Sequence, residues 1–110
     1  MRQIVIDEIS REERANIHNY LKRNAQAGAM EGMFWLPLPE RLLAEAQHGH
    51  EGCGPYFFGI ELTDDRLVFE LLVRSKTNLH CSCISYATPE QRDFLLAFVD
   101  KMLAEEMIRA

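Results

Sequence analysis

The chain has 110 residues, of which 47% are hydrophobic, 26% charged and 9% aromatic, and this profile is typical of a single globular domain over residues 1–110. Its 12 lysines and arginines stand against 17 aspartates and glutamates, which gives a formal charge of −5. Nucleic acids and anionic membranes attract basic proteins. We therefore expect neither a nucleic acid nor a membrane as a partner.

Cysteine usage and the N-terminal residues bear on the cellular compartment. The three cysteines are an odd number without a regular framework spacing, which favours reduced thiols over a disulfide scaffold. Residues 1–8 hold three consecutive apolar residues followed by two acids, which is too short for a secretory signal. These features predict a cytoplasmic protein.

The first predicted elements are a short extended segment and a helix. Residues 4–6 are a β-branched run that could form an edge strand or an extended arm. Ser10 and Glu13 form a capping box, which predicts a helix from Arg11 to near Gly28. Residues 27–55 then hold five of the six glycines and three of the four prolines, so we expect them to be irregular apart from a short helix over 39–48.

Two alternating segments, 55–62 and 67–74, predict a β-hairpin that turns at Asp64-Asp65. The predicted register pairs Leu62 with Leu67, Ile60 with Phe69 and Phe58 with Leu71. A turn at residues 76–78 leads into a third predicted strand, 79–86.

Thr88, Pro89 and Gln91 give the strongest helix start in the chain, because they combine an N-cap, a first-turn proline and a capping box. The whole pattern predicts a two-layer α+β domain. Its three-stranded antiparallel sheet, or four-stranded if residues 4–6 join it, is covered by a long C-terminal helix, with an N-terminal helix and a short second helix.

Two segments rich in histidine and cysteine are candidates for a metal site. Thiolates and imidazoles are preferred zinc ligands, so His50, Cys53, Cys81 and Cys83 form the candidate set. The spacing matches no zinc knuckle or ribbon, however, and buried free cysteine is common as a small core residue. We therefore treat zinc as the alternative hypothesis, and the leading hypothesis includes no cofactor.

The facing of Cys81 and Cys83 depends on the register of the third predicted strand. A three-residue loop pairs Val73 with Cys81 and places both cysteines in the core. A two-residue loop pairs Val73 with His80 and turns the cysteines to the other face, where they could bind metal. We favour the first register, because it keeps His80 and Ser82 out of an apolar core.

Catalytic and nucleic-acid functions receive weaker support. In the favoured register Glu70, Arg74 and His80 share the second sheet face, where they could act as an acid–base group or simply form exposed ion pairs. The order of helix, three strands and helix is also that of double-stranded RNA-binding modules. We reject this function because the last helix begins with one arginine against two acids. An enzyme is thus the less favoured class.

The leading hypothesis is a protein-interaction or regulatory domain. A segment containing the only tryptophan resembles a partner-binding surface, and it could equally complete the core: Met30, Met33, Phe34, Trp35 and Leu36. Apolar residues also fall on the second sheet face, away from the predicted helices: Phe57, Val68, Leu72, Ile84 and Tyr86. Both features favour a protein partner, most simply a second copy of the chain in a homodimer.

Overall fold

The computed structural model describes residues 1–110 apart from the side chain of Glu51. Within this part of the chain, six strands and two α-helices follow one another in an α+β order. They are β1 (Gln3–Ile6), α1 (Arg11–Asn24), β2 (Gln26–Ala27), β3 (Met33–Pro37), β4 (Tyr56–Leu62), β5 (Leu67–Ser75), β6 (Ser85–Tyr86) and α2 (Pro89–Glu105).

Both helices begin where the capping boxes predict them. Ser10 Oγ accepts from the backbone N–H of Glu13, and the Glu13 carboxylate accepts from the Ser10 N–H in return. Thr88 and Gln91 repeat this arrangement at the start of α2. Both predicted helix starts are therefore confirmed. They could be predicted because a capping box involves only residues close in sequence.

The sheet is antiparallel, in the order β1-β5-β4-β3-β2, with β6 also paired to β5. The predicted hairpin of β4 and β5 is confirmed near its turn, where Leu62 pairs with Leu67 and Ile60 with Phe69. Farther along, Phe58 pairs with Val73 instead of the predicted Leu71, because the register shifts between the Phe58 and Ile60 pairs. Two more residues of β5 than of β4 are accommodated there, as in a β-bulge.

The third predicted strand, 79–86, is wrong over most of its length, since only Ser85–Tyr86 pair with β5. Val73 pairs with Ser85, so neither of the two predicted registers is formed. The outer edge of β5 is shared: β1 pairs with Leu67 to Glu70 and β6 follows at Leu72. Residues 76–84 consequently form a loop that carries Cys81 and Cys83.

Both helices pack on one face of the sheet. The ring of His18 in α1 contacts Phe34 of β3 at 5.7 Å, and Phe98 of α2 contacts Phe69 of β5 at 6.4 Å between ring centroids. Phe34 and Phe69 both pair with Ile60, so they point to the same face. The largest fully buried side chains of the core include Ile17, Leu21, Phe58, Phe69 and Leu95.

The segment over residues 27–55 is more ordered than predicted in one part and less helical in another. Met33–Pro37 form β3, which pairs with both β2 and β4. The predicted helix over 39–48 is wrong: Glu40–Leu42 form a short 3₁₀ helix and turns follow. The side chain of Gln47 points into the protein. Its Oε1 accepts from the Ala44 N–H and its Nε2 donates to the Cys83 carbonyl.

Candidate metal centre

The first two residues of the candidate centre lie on one tight turn before β4. Residues Glu51–Cys53 form a 3₁₀ helix, and the Cys53 N–H donates to the His50 carbonyl at 2.9 Å. Side chains three residues apart lie on the same side of a 3₁₀ helix. The Tyr56 hydroxyl also donates to the His50 carbonyl at 3.0 Å, so this turn is tied to the start of the strand.

The other two residues lie on a turn between β5 and β6. The Ile84 N–H donates to the Cys81 carbonyl at 3.1 Å, and the Cys83 N–H points at Cys81 Sγ at 3.5 Å. Cys83 is completely buried, while Cys81 is only partly buried. The preferred interpretation of both thiols as a core pair is therefore confirmed for Cys83, which belongs to the core, and only in part for Cys81, which packs against the core but remains partly exposed.

The two turns bring four possible metal ligands together. One imidazole nitrogen of His50 and the three cysteine sulfurs lie within 4.8 Å of one another. Cys81 Sγ is 3.2 Å from His50 Nδ1. A tetrahedral zinc site with Zn–S bonds of about 2.3 Å has sulfur–sulfur edges of about 3.8 Å. The cluster thus has the size and the donor types of a zinc site.

The thiols of the cluster differ in acidity. The pKa of Cys81 is lowered to about 6, chiefly because the Cys83 N–H points at its sulfur, with further contributions from the Cys83 side chain and the charge of His50. The pKa of Cys53 is raised to about 11 by its hydrogen bond with Cys81 and by desolvation. The metal-free cluster therefore favours a thiolate at Cys81, and a bound cation would favour thiolates at its ligands generally.

A second group of residues holds the turns in place. Ser75 Oγ and Thr77 Oγ1 both donate to the Cys53 carbonyl, and Asn78 Nδ2 lies 3.8 Å from Cys53 Sγ. On the other side, Gln47 Nε2 donates to the Cys83 carbonyl at 2.8 Å. Partners of this kind fix ligand orientation at metal sites. The sequence reasoning missed these residues.

A cleft lies beside the histidine of the cluster. It has a volume of about 620 Å³, and its wall includes Leu38, Glu40, His48, His50 and Tyr56. His48 is exposed, and its Nε2 lies 3.1 Å from the Leu43 carbonyl, outside the four-ligand cluster. The cleft therefore gives solvent access to His50, while none of the three cysteines lines it.

The acid–base group expected from the favoured register is not assembled on one sheet face. Arg74 Nε donates to the Glu70 carboxylate at 2.8 Å on β5. His80 instead lies exposed in the loop between β5 and β6, because the third predicted strand does not extend there. The observed arrangement is an ion pair on the sheet and a separate surface histidine.

The predicted partner-binding residues are divided between the core and the surface. Phe34 and Leu36 are buried in the core, whereas Met33 and Trp35 alternate with them and are partly exposed. Met30 precedes the strand and is 73% exposed. A binding role for this segment remains a prediction, and it would have to use Met30, Met33 and Trp35.

Comparisons with models of known families, with curated proteins and with solved structures gave no significant match. Among the described residues, neither helix combines the length and the hydropathy that crossing a bilayer requires.

Proposed function

We propose that this protein is a small zinc-binding domain in which His50, Cys53, Cys81 and Cys83 hold one Zn²⁺. The observation that carries the proposal is the convergence of four ligand atoms within 4.8 Å. Three thiolates and one imidazole are a donor set of structural zinc sites. Sulfur-rich sites select soft or borderline cations, so zinc is favoured over calcium or magnesium.

The role we propose for the zinc is structural. Four protein ligands would complete a tetrahedral shell, whereas catalytic zinc sites have three protein ligands and an open position. The zinc would join the turn before β4 to the loop after β5, two segments that otherwise have little regular structure. Bound metal stabilises a fold when the unfolded chain lacks the preformed site.

The alternative explanation, in which the cysteines only fill the core, accounts fully for Cys83 but only in part for Cys53 and Cys81, which pack against the edge of the core. Cys53 and Cys81 are partly exposed, and polar groups of Asn78, His50 and the Cys83 backbone approach their sulfurs. An apolar filler gains nothing from such partners, but a metal-bound thiolate does. The polar surroundings of these two sulfurs therefore favour a binding site.

Elemental analysis of protein purified without added metal tests the proposal. We expect about one zinc per chain, and loss of tight binding in Cys81→Ser and His50→Ala. Loss of an outer partner typically weakens metal affinity by about 10–100-fold, so removal of a direct ligand should cost more. The matched control is His80→Ala, which removes an exposed neighbour of Cys81 that lies outside the cluster.

Two results would contradict the zinc proposal. One is a wild-type chain that neither contains zinc nor binds it with submicromolar affinity on titration under reducing conditions. The other is undiminished binding in Cys81→Ser and His50→Ala. Circular dichroism of each variant confirms that the comparison is between folded proteins.

We also propose that the sheet face opposite the helices forms the contact surface of a homodimer. Trp35, Val68 and Leu72 are partly exposed apolar residues on this face. Light scattering on eluted protein at micromolar to submillimolar concentration should give the mass of two chains. The Val68→Glu variant should give the mass of a single chain. A monomer over that whole range would contradict this second proposal.

A further inference from the structure

We propose that Cys53 and Cys81 form an oxidisable pair within the metal centre, which a hydroperoxide converts to a disulfide with release of the metal. This inference rests on the proposed zinc site and adds a regulation of that site. It follows from the positions and the unequal exposure of the three thiols.

The three sulfurs lie close enough together for any pair to be considered, since all are within 4.8 Å. Exposure separates them. Cys83 has 0% exposure and is part of the hydrophobic core, so a dissolved oxidant does not reach its sulfur in the folded protein. Cys81 is partly exposed, whereas Cys53 is intermediate as a whole residue and buried where it faces the cluster. Cys81 is therefore the thiol that a dissolved oxidant reaches, and Cys53 is the less deeply buried of its two possible partners.

The surroundings of Cys81 make it the first site of attack. Its neighbours His80 and Ser82 are exposed, and Leu79 is 69% exposed, so this part of the loop projects into solvent. Cys53 is more enclosed, because Ser75 and Thr77 bind its carbonyl and Asn78 approaches its sulfur. We assign to Cys53 the second step, in which it attacks the oxidised Cys81.

The chemistry proceeds in two displacements. The Cys81 thiolate attacks one peroxide oxygen, forming an S–O bond while the O–O bond breaks and the departing hydroxide takes a proton to become water. The Cys53 thiolate then attacks the sulfur of this sulfenic acid, forming the S–S bond and displacing the second hydroxide, which is also protonated to water. Two thiolates lose two electrons in total, the peroxide gains them, and the zinc ion keeps its charge.

The disulfide would leave only His50 and Cys83 as ligands. Two ligands do not satisfy the tetrahedral site that zinc prefers, so the metal dissociates. The two turns would remain near each other, because Gln47 holds the Cys83 carbonyl and Ser75 holds that of Cys53. Reduction by a small thiol should therefore restore the site and the binding of zinc.

The test treats the zinc-loaded full chain with hydrogen peroxide and follows two readouts. A chromogenic chelator measures released zinc, and mass spectrometry of a non-reduced digest locates the disulfide. We expect the release of about one zinc per chain, the loss of two of the three free thiols, and a Cys53–Cys81 bridge that dithiothreitol reverses.

Variants separate the two steps. In Cys53→Ser the sulfenic acid on Cys81 should persist and react with dimedone, since no resolving thiol remains within reach except the buried Cys83. In Cys83→Ser the Cys53–Cys81 bridge should still form. If Cys53→Ser is unfolded by circular dichroism, time-resolved trapping of the Cys81 sulfenic acid in the wild type provides the same information.

The outcomes distinguish this inference from the zinc proposal. A wild-type chain that neither contains nor binds zinc but still forms the Cys53–Cys81 bridge contradicts the zinc proposal and supports the oxidisable pair. A zinc-loaded chain that keeps its metal and all three thiols under millimolar peroxide contradicts the inference alone. A bridge that includes Cys83, or one between two chains, also overturns the inference.

Discussion

Gln47 is the residue that most closely links the candidate metal centre to the core. It is only 2% exposed, although glutamine is usually found at the surface. Its Nε2 donates to the Cys83 carbonyl, and its Oε1 accepts from the Ala44 N–H and from Gln91 Nε2. Gln91 Nε2 also donates to the Leu42 carbonyl at 2.8 Å. The two amides thus satisfy three backbone groups, two of them in the segment 42–44 and one at Cys83.

We predict that Gln47→Leu lowers the free energy of unfolding by about 2 kcal/mol, because the buried partners of the amide lose their hydrogen bonds. For a domain of this size the melting temperature should fall by about 8–16 °C. Thermal denaturation followed by circular dichroism measures the change. Gln3→Leu, an exposed position on β1, is the matched control and should change stability by less than about 0.5 kcal/mol. Equal effects of the two substitutions would contradict the structural role of Gln47.

At the level of single residues, the sequence identified all four candidate ligands, and the alternative zinc hypothesis brought them to one site, as the structure does; the favoured register did not. The alternation of Cys81 and Cys83 resembles a strand, and that reading placed them in the core. The predicted hairpin of β4 and β5 could have shown that the two cysteine-containing segments are close in space. Antiparallel strands bring the residues before β4 next to those after β5, and Tyr56 does pair with Ser75. Cys53 and the loop after Ser75 therefore had to be neighbours.

At the level of elements, local signals were predictive and competition between strands was not. The capping boxes and the hairpin turn involve residues close in sequence, so they could be recognised directly. The short length of β6 depends instead on β1, which pairs with the first half of the outer edge of β5. The edge of β5 passes from one neighbour to the other at Leu71. Its N–H donates to the Arg2 carbonyl just before β1, and its carbonyl accepts from the Ala87 N–H just after β6.

The connection that leads into β3 depends on one glycine. Gly32 has a φ of +82°, and a Cβ added there would lie 2.5 Å from the Leu62 carbonyl oxygen. The same glycine accepts a hydrogen bond from the Leu62 N–H at 2.7 Å, which draws the turn against the end of β4. Any side chain would therefore meet both an unfavourable backbone conformation and a backbone clash.

We predict that Gly32→Ala destabilises the protein by more than the conformational cost of about 1–2 kcal/mol for a left-handed residue. Gly49→Ala is the matched control, because Gly49 has a similar φ of +81° with no atom within 4 Å of the added Cβ. Urea denaturation of both variants measures the difference, which reports the clash alone. A Gly32→Ala variant no less stable than Gly49→Ala would show that the turn moves away from β4 freely.

At the scale of the whole molecule, the hydrophobic core and the candidate metal centre are adjacent but distinct. The core lies between the helices and one sheet face, where Phe58, Phe69 and Leu95 are fully buried. The candidate metal centre lies at the open end of the β4–β5 hairpin, opposite its turn, and shares Cys83 with the core. If the proposed zinc is bound there, the core would hold the fold together without it, and the zinc would mainly order the two ligand-bearing loops.

This division predicts a local effect of zinc removal. In the chain stripped with a chelator under reducing conditions, backbone amides of residues 47–54 and 76–84 should exchange with deuterium at least about tenfold faster than in the zinc-loaded chain. Amides of β4 and β5 near Ile60 and Phe69 should keep their protection, because their hydrogen bonds belong to the core. The melting temperature should fall and should rise again with added zinc, since a ligand that binds only the folded state stabilises it by mass action.

Unprotected exchange throughout the stripped chain would contradict the division, since it would mean that the metal holds the core itself together. Unchanged exchange in both loops would instead show that hydrogen bonds such as those of Gln47 and Ser75 suffice to order them.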